Sequence, residues 1–118
     1  MTKRLTGYRK VVSDEKINGI FEKGSDIGDS HILMVNATSF GGGVAEILRN
    51  LVPLLDDTGP DVRWRTTPGH RDFIQITKKI HNALQGAEID LTERKKDVYM
   101  GVNEDFSKIT HIDHDVVV

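Results

Sequence analysis

The stretch His31-Ile32-Leu33-Met34-Val35-Asn36-Ala37-Thr38-Ser39-Phe40-Gly41-Gly42-Gly43-Val44-Ala45-Glu46 sets the expectations for the whole chain. An apolar run passes into a short polar turn, then three glycines, then the start of an amphipathic pattern. Apolar residues without alternation are the mark of a strand covered on both faces. A glycine turn that opens a helix after such a strand presents backbone N–H groups with no intrahelical partner, and the helix dipole adds partial positive charge beside them. Glycine also removes the Cβ that would keep a ligand or another backbone away. Two readings stand side by side: an anion cradle, or a tight strand-to-helix turn with no ligand.

On the N-terminal side, Ser13 to Lys23 reads as a helix. Ser13 is a plausible N-cap, Asp14 and Glu15 occupy the first turn, and Ile17, Ile20 and Phe21 share one face. Gly24 to Asp29 is a loop, and His31 to Asn36 is the first strand. After the glycines a helix runs from about Val44 to Asp56, with Val44, Ile47, Leu48, Leu51 and Leu55 as the face expected on the sheet. Pro53 has no N–H to donate to Arg49, so a kink or a second segment is expected there. Asp61 to Thr67 alternates as a strand near a sheet edge does.

A third helix spans Arg71 to Leu84 on Phe73, Ile76, Ile80 and Leu84, with Gly86 as its terminator. Asp90 and Glu93 have capping-box spacing for a last helix, whose apolar side is Val98, Val102, Phe106 and Ile109. Asp115 to Val118 opens a further buried strand, and an ending on three valines points to a longer protein. This alternation is that of an α/β fold: a Rossmann-like parallel sheet with flanking helices. If the last strand pairs on the far side of the first, the sheet reverses order beside the glycine turn, where open α/β sheets bind ligands.

Bulk properties remove several function classes. With 118 residues the chain is of one-domain length with a modest core. A formal net charge of -2 offers no footprint for nucleic acid and no polybasic patch for a membrane surface. The absence of cysteine excludes disulfides and thiolate chemistry. The longest apolar runs, Leu51 to Leu55 and Ile32 to Val35, fall far short of a membrane span. Met1 to Thr6 lacks the apolar segment of a secretory signal, so the chain reads as cytoplasmic.

Three constellations are candidates for chemistry. The glycine turn lacks the lysine and hydroxyl residue of a P-loop and the spacing of the dinucleotide fingerprint. Glu46 in its first helical turn favours the helix dipole but repels a phosphate, so it serves either the helix or a hydroxyl of a sugar-like ligand. Lys78, His81 and Gln85 lie together beside Ile74 on one flank of the third helix, as cleft groups or as a solvated face. His111-Ile112-Asp113-His114-Asp115 is dense in imidazole and carboxylate but matches no familiar ligand spacing, so no metal site is assigned.

Val35 to Leu48 and Leu51-Val52-Pro53-Leu54-Leu55 closely resemble the N-terminal region of trehalose synthases of the glycosyltransferring type. So do Val62-Arg63-Trp64, Phe73, Thr77 to Gly86, Leu91-Thr92-Glu93 and Tyr99 to Asn103, in order, across about Tyr8 to Val118. The resemblance implies the GT-B fold, two Rossmann-like domains facing a cleft, and a retaining transfer of glucose from a nucleotide-sugar to glucose that gives trehalose. It implies no cofactor. Residues 1–118 would then be one partial, acceptor-side N-terminal domain, with the donor-binding C-terminal domain absent. By position, Gly41, Gly42 and Gly43 become the loop facing the donor diphosphate. Glu46, His81, Asn82 and Gln85 become candidates for the acceptor cleft. Thr67-Pro68-Gly69-His70-Arg71 departs from the family pattern, and the His-Asp-Pro segment expected after the last strand lies beyond Val118.

The chain by itself is therefore expected to be catalytically silent. The alternative is a standalone or split-protein α/β binding module that self-associates or docks a partner chain through its valine-ended strand. A third reading is a small nucleotide-binding domain.

Overall fold

The computed structural model describes residues 3–118. They form a short 3-10 helix, Leu5–Lys10, followed by α1 (Asp14–Asp26), β1 (His31–Asn36), α2 (Gly43–Asp57), β2 (Asp61–Thr66), α3 (Arg71–Leu84), α4 (Glu93–Ile109) and β3 (Val116–Val117). The chain divides into two compact units. The first runs to Arg65 and includes 113–118; the second is Thr66–Ile112.

The first unit holds a three-stranded parallel sheet in the order β2-β1-β3 with flanking helices, the incomplete Rossmann-like arrangement expected from the sequence. β1 pairs with β3 in parallel, Ile32 opposite Val116 and Leu33 opposite Val117. Adjacent residues Leu33 and Met34 are both buried, which is how a strand covered on both faces must look. Asp115 seats β3 from its side chain, its Oδ2 accepting from the His31 N–H at 2.7 Å, while its own N–H donates to the His31 carbonyl at 2.9 Å. On the other edge, the Asp61 N–H donates to the Ser30 carbonyl at 3.0 Å and Asp56 accepts from the Val62 N–H at 3.1 Å. Asp61 also accepts from Arg63 at 2.8 Å, and that bond together with its charge raises the guanidinium pKa.

α1 begins as its sequence dictates, with Ser13 Oγ accepting from the Lys16 N–H and Ile17 fully buried. At Gly24 its backbone meets the Thr58 turn so closely that an added Cβ would lie 2.6 Å from the Thr58 Cβ and collide with the Thr58 carbonyl oxygen.

α2 departs from expectation twice. It continues unbroken through Pro53. Proline removes one ladder bond, but the flanking turns stay intact. Its covered flank is also rotated. Ala45 is buried and Leu48, Val52 and Leu55 are partly covered, whereas Val44 and Ile47 are each 61% exposed and Leu51 is exposed too. The small side chain of Ala45 allows close approach on its own flank, so the wider apolar stripe is only half used.

In the second unit α3 and α4 pack on each other. Phe73 and Ile76 are buried, and the Phe73 ring stacks on Tyr99 with centroids 5.9 Å apart. Leu84, expected in the α3 stripe, is 85% exposed because it ends the helix, and Ile109 ends α4 in the same way. α4 is capped by Thr92, whose Oγ1 accepts from the Lys95 N–H, and not by Asp90. The Asp90 carbonyl instead accepts from Lys95 Nζ at 2.6 Å. Two residues separate the alternative caps, and the one whose side chain reaches the first-turn amide takes the role.

Candidate functional site

The strand order places β1 in the middle, with β2 beside it on one edge and β3 on the other. The residues leaving its C-terminal end therefore occupy the reversal point of the sheet. Those residues are Ala37 to Gly42, and they are held from both ends. Asn36 accepts from the Trp64 indole N–H at 2.7 Å and donates through Nδ2 to the Thr38 carbonyl at 2.6 Å. Thr38 Oγ1 accepts from the Phe40 N–H at 3.1 Å and bonds the Phe40 carbonyl at 2.8 Å. From α2, Arg49 reaches back, donating to the Ser39 carbonyl at 3.0 Å with its guanidinium 5.6 Å from the centre of the Phe40 ring.

The clamp leaves the glycines open. Gly41 and Gly42 have φ of +72° and +82°, the left-handed region that the turn into α2 requires. All three glycines are exposed, and a Cβ built on any of them would meet nothing within 4 Å. α1 and α4 have side-chain caps from Ser13 and Thr92, but at α2 the N-cap is Gly42, which has none to offer. α3, behind His70, is likewise without one. The first amides of α2 thus combine two properties an anion needs: no competing side-chain acceptor, and open space above them. Glu46 stands exposed in this first turn, and its backbone carbonyl accepts from Asn50 Nδ2 at 2.9 Å.

His81, Asn82 and Gln85 lie at the C-terminal end of α3, in the second unit, all exposed. Their backbone closes the helix: the Gln85 and Ala87 N–H groups both donate to the Asn82 carbonyl, at 3.1 and 2.9 Å, and Gly86 follows with φ +99°. Gly41, Gly42, Gly43 and Glu46 form one cluster, and His81, Asn82 and Gln85 another. Among the described residues, no group of three or more His, Asp or Glu side chains gathers as a metal would need. In the 111–115 segment, Asp115 is committed to β1 and the His114 side chain is buried.

Sequence reasoning missed Asn36, Trp64 and Arg49 as supports of the glycine loop. Their contacts span up to 28 residues and depend on the neighbouring strand and on the loop folding back over α2. No local spacing signals either.

Comparison with known proteins adds a second line of observation. The family described as trehalose synthase, N-terminal domain, matches residues 34–118, a span that includes both clusters. The trehalose synthase of Thermococcus litoralis is 48% identical over 103 residues, covering 86% of this chain and 25% of the relative. That of Pyrococcus horikoshii is 44% identical over 107 residues, with 90% and 26% covered. The trehalose synthase of Rubrobacter xylanophilus is 43% identical over 101 residues, with 86% and 24% covered. The chain spans about a quarter of the length of these curated relatives.

Proposed function

We propose, because this chain belongs to the family of trehalose synthase N-terminal domains, that it is the acceptor-side N-terminal part of a retaining glycosyltransferase of the GT-B type. The complete enzyme would transfer glucose from a nucleotide-sugar to glucose to form trehalose. In this reading Gly41, Gly42 and Gly43 supply one half of the donor diphosphate site, and a C-terminal domain or partner chain supplies the other. Glu46, His81, Asn82 and Gln85 are the acceptor-side candidates. No helix among the described residues is long and apolar enough to cross a membrane, and we place the enzyme in the cytoplasm.

One observation carries the proposal: an uncapped helix N-terminus behind an open, clamped glycine loop at the reversal point of a parallel sheet. In glycosyl transfer the bond from the sugar to the diphosphate breaks, and negative charge grows on the departing diphosphate. Backbone donors already aimed at that position stabilise this charge without rearranging. Glu46 is directed in this scheme to a sugar hydroxyl, since its charge opposes that of the diphosphate.

The test is a titration of the 118-residue chain with a nucleoside diphosphate, followed by amide resonances. Saturable shifts centred on Gly41 to Glu46 are expected. Shifts that leave this loop untouched sink the proposal.

A further inference from the structure

Between α3 and α4, wholly inside the second unit, lies an open groove of about 340 Å³ that neither the glycine loop nor the cluster at the end of α3 uses. Its polar wall comes from Asp72, Gln75 and Lys79 on α3 and from Thr92, Arg94 and Lys95 at the head of α4. Lysines of α4 outside this groove are locally neutralised: Lys96 pairs with Glu93 at 2.7 Å and Lys108 with Glu104 at 3.1 Å. Those facing the groove are different. Among the described residues neither Lys79 nor Arg94 has an ion pair, and Lys95 gives one donor to a backbone carbonyl, that of Asp90.

Three cations thus share a wall with a single carboxylate, Asp72, and the N-terminal end of α4 adds positive potential of the same sign. A mobile anion is the simplest partner for such an excess. Asp72 and Gln75 add acceptors that a bare anion has no use for but that hydroxyl groups satisfy. The volume lies at the lower end of the range for small-molecule sites, which fits a compact ligand.

We propose that this groove binds a phosphate monoester of a small polyol. Lys79, Arg94 and Lys95 hold the phosphate, and Asp72 and Gln75 hold hydroxyls. The site is independent of the reading of the glycine loop, because its residues and its ligand are separate.

Amide resonances of the 118-residue chain, titrated at constant ionic strength with glycerol 3-phosphate, inorganic phosphate and glycerol, test this. Glycerol 3-phosphate should give saturable shifts at residues 72–79 and 92–95, more tightly than inorganic phosphate, and glycerol alone should give none. The double variant Lys79→Gln with Arg94→Gln should bind about tenfold more weakly, as loss of charge-assisted bonds requires, while Lys79→Arg retains binding. Both positions are exposed, so the remaining resonances should report an unchanged fold. Phosphate shifts that are chain-wide or never saturate overturn the site, as does undiminished affinity in the double variant. Equal affinity for inorganic phosphate and the ester overturns the assignment of Asp72 and Gln75.

Discussion

Three consecutive glycines occupy different physical situations, and substitution should separate them. Gly41 and Gly42 have positive φ, so an added side chain is strained even though it meets open space. Gly42→Ala should lower the stability of the chain by about 1 kcal/mol in urea melts. Gly43 is the first residue of α2, without positive φ and with free space at its Cβ position. Gly43→Ala should therefore leave stability unchanged or raise it by about 0.5 kcal/mol, since alanine is the better helix former. Under the proposed function it should nevertheless weaken nucleoside diphosphate binding, because the methyl group would enter the open space assigned there to the diphosphate. Gly24 is a glycine of another kind. A methyl group added there would sit 2.6 Å from the Thr58 Cβ, so Gly24→Ala should destabilise by about 2–3 kcal/mol through overpacking. The order of Gly41 to Gly43 after a strand leaves an anion cradle and a ligand-free turn as equal readings, and only the family resemblance favours the first. Gly24 read as ordinary loop, because the Thr58 turn it touches is distant along the chain.

At the scale of elements, the glycine loop is tied to three neighbours: β1 through Asn36, β2 through Trp64 and α2 through Arg49. Trp64→Phe leaves a partly buried Asn36 acceptor without its donor, so a loss of about 1–2 kcal/mol is expected in equilibrium unfolding. Arg49 is exposed, and Arg49→Gln should change global stability by less than about 0.5 kcal/mol. Hydrogen exchange should separate the two roles: with Arg49→Gln, the amides from Ser39 to Gly43 should exchange faster while those of Leu33 and Met34 do not. Equal acceleration in both places would show that Arg49 supports the sheet and not the loop. Element boundaries were legible because they depend on neighbours: the Ser13 cap, the β1 run and the α3 span coincide with the sequence reading. The flank of α2 that is covered was not legible. Periodicity identifies an apolar stripe, but Ala45, which the stripe omits, is the buried residue of the helix.

For the molecule as a whole, apolar surface remains uncovered. Val44 and Ile47 on α2 and Val116, Val117 and Val118 at the sheet edge are all between 46% and 68% exposed. An unpaired edge beside apolar side chains invites association, so the isolated 118-residue chain should sediment with a concentration-dependent mass. Val44→Lys with Ile47→Lys should shift it toward monomer, whereas a monomer at every concentration would count against the docking role of this surface. Glycosyl transfer by the isolated chain should be absent, and robust turnover would refute the need for a further domain. The sequence by itself determined the parallel α/β class, the order of the elements and the candidate glycine loop, because these follow from periodicity, caps and turn residues acting over a few positions. Only the tertiary structure decided that β3 joins the sheet beside β1, across a contact 84 residues apart in sequence. It also decided which flank of α2 is covered, and that Lys79 and Arg94 share one wall. Such pairings depend on which distant surfaces exclude water together, and no local pattern encodes that choice.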